Sequence, residues 1–248
     1  MTSEYPHLPN APIVEALIDL RVGLVDDFDV EVLRALHEQI VTDFPRLETQ
    51  QLIQGKLHFS ASGIVAEDTE HAIRGFRMLS ADGKDIVQFR RDGFTFSRLH
   101  PYTQWATFFD RSWDLWRLYA RTVDPSGVTR LATRFINRLK CPLEFDLGEY
   151  FEAPPEVPDG VPDVFASFLY KYVLAPVDGI TSNVTLTTER WTTGEDFTSV
   201  VFDIDCYVRK DLRADEDETL KSIFLKLREM KNRIFFRSLT PAALEAFK

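Results

Sequence analysis

The sequence predicts an α+β protein in which a curved antiparallel sheet carries its helices on one face. Apolar residues alternate with polar ones at period two in several segments, which is typical of half-buried strands. The dipeptides Asp82-Gly83 and Asp92-Gly93 separate such segments and favour tight hairpins, because glycine adopts positive φ at little cost. Two long segments with helical apolar spacing, residues 103–123 and 215–236, provide helices that cover a sheet.

The first half of the chain is predicted to contain a strand, a helix, several strands and a long helix. Every second residue is apolar along residues 13–22, as expected of a strand. Asp29 is predicted to cap a helix at residues 30–43, and Pro45 ends it. The remaining elements are extended segments at residues 52–60, 75–80, 85–91 and 94–99 and a helix at residues 103–123 with an aromatic stripe.

The second half repeats this order of elements. The prediction comprises a strand at residues 128–141, a proline-rich loop at 143–162, a short helix at 164–174, strands at 180–192 and 197–212 joined at Gly194, and a helix at 215–236. The sequence therefore predicts two tandem units, residues 1–127 and 128–248, which form a pseudo-duplicated pair within one compact domain. The duplication is inferred from element order alone, since no residue-level repeat is visible.

Composition limits the partners and the cell compartment. The chain has 248 residues and a formal charge of −10, which disfavours binding to nucleic acid or to an anionic membrane. No apolar run reaches the roughly 20 residues of a membrane span. Cys141 and Cys206 are far apart in sequence, and the N-terminal residues do not resemble a signal peptide. These observations predict a cytoplasmic protein with free thiols.

Sequence motifs for catalysis, metals and cofactors are absent. The five histidines are scattered over different predicted elements, and no phosphate-binding glycine loop or nucleophile motif occurs. Asp203 and Asp205 share one strand face, either as a carboxylate pair that binds a cation or as a solvated polar face. The sequence therefore predicts no metal, no cofactor and no catalytic residue, and it favours a protein that is not an enzyme.

Arginine is the most informative polar residue type. One interpretation is a basic groove for a small anionic ligand or nucleotide, formed by Arg90, Arg98, Arg130, Arg134 and Arg138. The alternative is that these arginines pair with acids on neighbouring strands. If the two halves meet through their first strands, Glu15 and Asp19 face Arg134 and its neighbours, and the ion network specifies strand register.

The C-terminal segment carries more apolar residues than one helical stripe buries. These residues are candidates for an exposed patch that binds another protein or a second copy in a homodimer, and they comprise Phe235, Phe236, Leu239 and Phe247. Packing in the core is the alternative. That alternative leaves no free apolar site in the segment.

Four ordered motifs support a family resemblance. They are NAPIVEALIDLRV at residues 10–22, GKDIVQFRRDGFTFSRLHPYTQW at 83–105, TRFINRL at 133–139 and REMKNRIFFRSLT at 228–240. Together they resemble a sporadically distributed family of uncharacterised bacterial proteins of about this length. The patchy distribution of that family is similar to that of mobile or defence-associated genes. The resemblance implies a role beside a partner protein, and it carries over no functional residue.

The sequence thus favours a non-enzymatic protein-binding or regulatory protein, of a kind found in bacterial defence or toxin-related operons. The alternative hypothesis is a sensor that binds a small anionic ligand or nucleotide on the arginine-bearing sheet. The two hypotheses differ in where function resides, since the first needs an exposed docking surface and the second needs a concave site with unpaired cations.

Overall fold

The computed structural model describes residues 5–23, 28–60, 63–158, 160, 165–189 and 197–248. The strands are β1 Ile13–Val22, β2 Arg46–Ser60, β3 Gly63–Leu79, β4 Asp85–Arg90, β5 Gly93–Leu99, β6 Val128–Pro142, β7 Leu169–Val177, β8 Ile180–Thr188 and β9 Phe197–Leu212. The helices are α1 Glu31–Ile40, α2 Trp105–Val123, α3 Leu147–Tyr150, α4 Asp217–Ser238 and α5 Pro241–Glu245.

All nine strands belong to one antiparallel sheet with the order β2-β3-β4-β5-β1-β6-β9-β8-β7. The first strands of the two halves lie side by side at its centre, where Leu17 is opposite Arg134 and Asp19 is opposite Ala132. Each of these strands pairs on its other side with the last strand of its own half, β1 with β5 and β6 with β9. The sheet is therefore continuous across the boundary between the two halves.

The long helices cover one face of this sheet through aromatic contacts. Trp116 of α2 packs edge-on against Phe94 of β5 with ring centroids 5.9 Å apart. Phe235 of α4 stacks on Phe202 of β9 at 6.1 Å. Both sheet residues point to the same face, as their pairing through β1 and β6 requires. The predicted α+β class and curved antiparallel sheet are confirmed.

Most predicted strands and long helices are found where the sequence places them. The hairpin between β3 and β4 turns at Asp82 and Gly83, and Gly83 has a φ of 72°, which suits glycine. Asp29 accepts a hydrogen bond from the backbone N–H of Glu31 at the start of α1. The predicted junction at Gly194 lies outside the described residues.

The predicted short helix at residues 164–174 is wrong for the part that is described. Residues 169–174 belong to β7, which pairs with β8 so that Tyr172 is opposite Val184 and Leu174 is opposite Ser182. Aromatic and β-branched residues favour the strand, and pairing with a neighbouring strand decides the outcome for a short apolar segment. Between β6 and β7, the four-residue α3 is the one helix in the residues that the structure describes.

Candidate functional site

The sheet face opposite the helices carries an ion network around Asp19 of β1. Its carboxylate accepts hydrogen bonds from Arg21 at 3.1 Å, from Arg90 and Arg130 at 3.0 Å each, and from the Thr95 hydroxyl at 2.7 Å. Asp19 and Arg90 are each only 5% exposed. Burial lowers the pKa of Arg90, since removal from water disfavours its charge. The network therefore links β4, β5, β1 and β6 through buried charges.

The network continues from the central strands to β9. Arg130 donates to both carboxylate oxygens of Asp205 at 3.1 and 3.0 Å. Arg134 donates to both oxygens of Asp203 at 2.8 and 2.6 Å, and this pairing raises the pKa of Arg134. The two aspartates that share this strand face are therefore occupied by arginines.

The other two predicted arginines also have acidic partners. Arg98 binds Asp85 at 2.9 Å, and Arg138 binds Glu189 at 2.7 Å. All five arginines proposed from the sequence for an anionic ligand are thus paired with carboxylates. The structure brings Arg90 and Arg130 together on Asp19 and places the other three on separate partners.

The C-terminal apolar residues do not form the exposed patch that the sequence suggested. Phe235 is 6% exposed and Leu239 is 2% exposed, so both lie in the core. Phe236 is partly buried and stacks on Tyr5 with ring centroids 4.9 Å apart. Phe247 also packs against the core, and its backbone carbonyl accepts a hydrogen bond from the Asn10 N–H. The segment after α4 folds back on the N-terminal residues and covers these side chains.

A cavity of about 620 Å³ opens on the helix side of the sheet. It lies between the segment before β1, the start of α2 and the second half of α4. Its aromatic walls are formed by Tyr5, Tyr102, Trp105, Phe109, Phe235 and Phe236, and its polar lining includes His7, Gln104, Asp110, Asn137, Arg228, Lys231 and Asn232. The amide of Asn137 is 1% exposed and donates to the Phe202 carbonyl at 2.9 Å.

Two cations line this cavity without an acidic partner. Lys231 places its Nζ 4.0 Å from the centroid of the Phe135 ring, and the Arg228 guanidinium lies 5.5 Å from that of Trp105. They are three residues apart on α4 and so share a face. Neither forms an ion pair with any residue that the structure describes. Both cations instead lie over ring faces, and such contacts are weak at exposed sites and stronger where water is excluded.

The pKa of Lys231 is lowered to about 7. Burial is the largest cause and the positive charge of Arg228 is the second, whereas the Cys206 thiol and Glu229 act in the opposite direction. Lys231 is therefore protonated in only part of the molecules at neutral pH. Burial raises the pKa of Tyr102 in the same cavity, so its hydroxyl remains a hydrogen-bond donor.

This combination suits an anion with an aromatic or apolar body. The rings provide a stacking surface, and the two cations provide donors for a carboxylate or a phosphate. No group of three or more potential metal ligands converges in the described part of the chain. Among the same residues, no helix has the length and apolar character needed to cross a membrane.

Comparison of the chain with models of protein families and with curated proteins returns no match.

Sequence reasoning missed Arg228, Lys231 and the cavity itself. One signal was present, because Lys231 lies four residues after Leu227 and four before Phe235, in a row of α4 that is otherwise buried. A lysine at such a position points to a special environment, since lysine is rarely buried without a partner. The lining residues come from four separate parts of the sequence, so local patterns do not show that they converge.

Proposed function

We propose that the protein is a non-enzymatic regulatory protein that binds a small anionic ligand with an aromatic or apolar body in the cavity beside α4. One observation carries the proposal. Arg228 and Lys231 line an aromatic-walled cavity without acidic partners, although the chain has 39 acidic and 29 basic residues. A bound carboxylate or phosphate supplies the missing partner, and its interaction is strengthened where water is excluded.

The size and the walls of the cavity fit a small molecule. Ligand pockets span roughly 300–1,000 Å³ and are mostly apolar with a few placed polar groups. The cavity of about 620 Å³ lies within this range. The stacked pair Tyr5 and Phe236, at 4.9 Å, forms one wall, and Trp105, stacked on Phe109 at 5.3 Å, forms another. Each wall offers an aromatic surface to a flat ring of a ligand.

The arginine-bearing face of the sheet is a weaker place for the same ligand. An anion there has to displace a carboxylate that already binds each arginine, for example Asp203 on Arg134. Buried partners such as Asp19 then lose their own donors, which costs several kcal/mol. The alternative of a sensor for small anions is therefore supported at the cavity instead of the sheet face.

Calorimetric titration with matched probes tests the proposal. Benzoate is expected to bind at least about tenfold more tightly than neutral benzamide, because a charge-assisted hydrogen bond contributes about 1.5–3 kcal/mol. Phenyl phosphate distinguishes phosphate from carboxylate recognition. Arg228→Met is expected to weaken benzoate binding by a similar factor, whereas Arg134→Ala on the opposite sheet face is expected to leave it unchanged. Equal binding of benzoate and benzamide, or loss of binding in Arg134→Ala alone, contradicts the proposal.

A second role, docking of another protein or of a second copy, is favoured by one observation. Strand β7 at the edge of the sheet exposes apolar side chains to solvent. It also lies near the helix that carries the cavity, because Ser238 at the end of α4 is close enough to the Tyr172 hydroxyl of β7 to influence its pKa. A regulatory protein with both sites couples ligand and partner through α4 if ligand binding shifts that helix.

We also propose that the two halves arose from one duplicated unit. The strand orders β1-β5-β4-β3-β2 and β6-β9-β8-β7, read outwards from the centre, support this relationship. Asn10 and Lys248 lie close together, since the Asn10 side chain hydrogen-bonds the backbone carbonyl of Lys248 at 2.9 Å. A circular permutant that begins at Pro125 and joins residue 248 to the segment before Asn10 through a short linker is expected to fold, and its failure to form the sheet contradicts interchangeable halves.

A further inference from the structure

Strand β7 forms one edge of the sheet. It pairs with β8 on one side, and no described residue pairs with its other side. Nine large apolar side chains are exposed among the described residues, and five of them belong to this strand: Leu169 at 72%, Tyr170 at 40%, Val173 at 58%, Leu174 at 40% and Val177 at 50%. Free backbone donors and acceptors beside exposed apolar side chains form a template for another strand.

The opposite edge of the same sheet is built differently. The described side chains of β2, at residues 46–51, are mostly polar, and Glu48 pairs with Arg77 of β3 at 2.8 Å. Charged residues at an edge discourage pairing with a further strand. Strand β7 has a single charged residue, Lys171, and its one proline, Pro176, lies near its end, where the pairing with β8 is irregular. Residues 169–174 are therefore the part of the edge that is open to a further strand. The two edges of one sheet therefore differ in the features that permit strand addition.

We propose that β7 pairs antiparallel with β7 of a second copy around a two-fold axis, which joins the two sheets in a dimer. The sequence LYKYVLAPV is self-complementary in this arrangement. In the register centred on Val173, Tyr172 lies opposite Leu174 of the second copy and Lys171 lies opposite Ala175. Apolar residues meet apolar residues and the two lysines do not face each other, as a stable cross-strand interface requires.

The charge of the chain predicts how the dimer responds to salt. Each copy carries a formal charge of −10, so two copies repel each other over long distances. The strand itself contributes one positive charge, at Lys171, and its apolar side chains supply the attraction. Screening reduces the repulsion and leaves the apolar contact unaffected. The dimer is therefore expected to be stronger at high ionic strength, whereas an interface held by ion pairs weakens.

Sedimentation of the full-length chain over a range of concentrations tests the inference. The wild-type protein is expected to be dimeric at the upper concentrations. In the register centred on Val173, the variant Val173→Lys places its lysine opposite the same introduced lysine of the second copy. In the register centred on Tyr172, this lysine lies opposite Lys171 of the second copy. Like charges face each other in both registers, so we expect this variant to be monomeric. Val41→Lys is the matched control, because Val41 is 45% exposed at the end of α1 and lies outside the strand. It is expected to remain dimeric.

Hydrogen exchange provides a direct readout of the same edge. Amides of β7 that point away from β8 are expected to become protected as the wild-type protein dimerises, and to exchange rapidly in Val173→Lys. If Val173→Lys does not fold, Leu169→Lys replaces it, since Leu169 is 72% exposed. A wild-type chain that stays monomeric, a dimer without protection in β7, or an edge that accepts only a strand of another protein overturns the inference. These outcomes do not depend on ligand binding in the cavity.

Discussion

Binding of an aromatic carboxylate in the cavity is expected to strengthen about tenfold as the pH falls from 8 to 6. The perturbation acts on Lys231, whose pKa is lowered to about 7. A lysine is cationic below its pKa and neutral above it, so acidification creates the charge that pairs with the ligand. The carboxylate of benzoate is ionised throughout this range. Protonation of any group that lines the cavity favours an anion, so the Lys231→Met variant, and not the sign alone, assigns the effect to Lys231.

The magnitude follows from the protonated fraction. With a pKa of about 7, about one Lys231 in eleven is protonated at pH 8 and about ten in eleven at pH 6. If only the protonated form pairs with the ligand, the apparent dissociation constant changes about tenfold, which corresponds to about 1.4 kcal/mol. Arg228 stays charged over the whole range, so its contribution to the binding free energy does not vary with pH.

The assay is calorimetric titration with benzoate at pH 6, 7 and 8 and constant ionic strength. Lys231→Met keeps the length and apolar character of the side chain and is expected to remove the pH dependence. Lys226→Met, an exposed position on the same helix, is the control for loss of a lysine. His7 also lines the cavity, so His7→Gln is included and is expected to retain the tenfold change. A flat profile in the wild-type protein, or an unchanged slope in Lys231→Met, refutes the reasoning.

Three further predictions concern the core and the ion network. Asp19→Asn is expected to lower the free energy of unfolding in urea by about 3 kcal/mol, because Arg90 then remains buried beside a neutral group; a loss below about 1 kcal/mol contradicts a buried network. Phe235→Ala is expected to cost about 3–5 kcal/mol in the same assay, as for a core ring, whereas a small loss indicates a surface role. Burial raises the pKa of Cys141 and Cys206 to about 11, so a thiol reagent at pH 8 is expected to react only after unfolding, and rapid reaction of the native protein contradicts their burial.

Much of the sheet could be predicted because its signals are local. Alternation along residues 13–22 and the glycine at the Asp82-Gly83 turn depend on neighbours in sequence, and both are found in the structure. The sequence pattern predicts a helix where β7 lies, because a short apolar segment fits the period of a helix as well as that of a strand. Its pairing with β8 decides the outcome, and that pairing is a contact of the folded chain.

The sequence predicts the acidic partner of Arg130 but not that of Arg134. Placing the two first strands side by side correctly suggests Asp19 as an acid for the arginines of β6, and Arg130 binds it at 3.0 Å. This placement also suggests Glu15 or Asp19 as the partner of Arg134, but the carboxylate that Arg134 binds is Asp203 on β9. In the register between β6 and β9, Arg134 lies opposite Asp205, but it binds Asp203, two residues away on the same face of β9. Asp205 binds Arg130 instead. The register therefore decides which acids are within reach of each arginine. More than 60 residues separate the partners in sequence, so local patterns do not determine the register.

The alternation of side chains along strand β6 explains why the sequence indicates the arginines but not the cavity. Successive side chains of a strand point to opposite faces. Arg134 and Arg138 point to the face where each meets a carboxylate, whereas Phe135 and Asn137 point to the helix side, where Phe135 lies under Lys231 and Asn137 lines the cavity. One strand thus supplies a closed ion network on one face and part of an open pocket on the other. Substitution of Asn137 is therefore expected to affect ligand binding, and substitution of Arg138 is not.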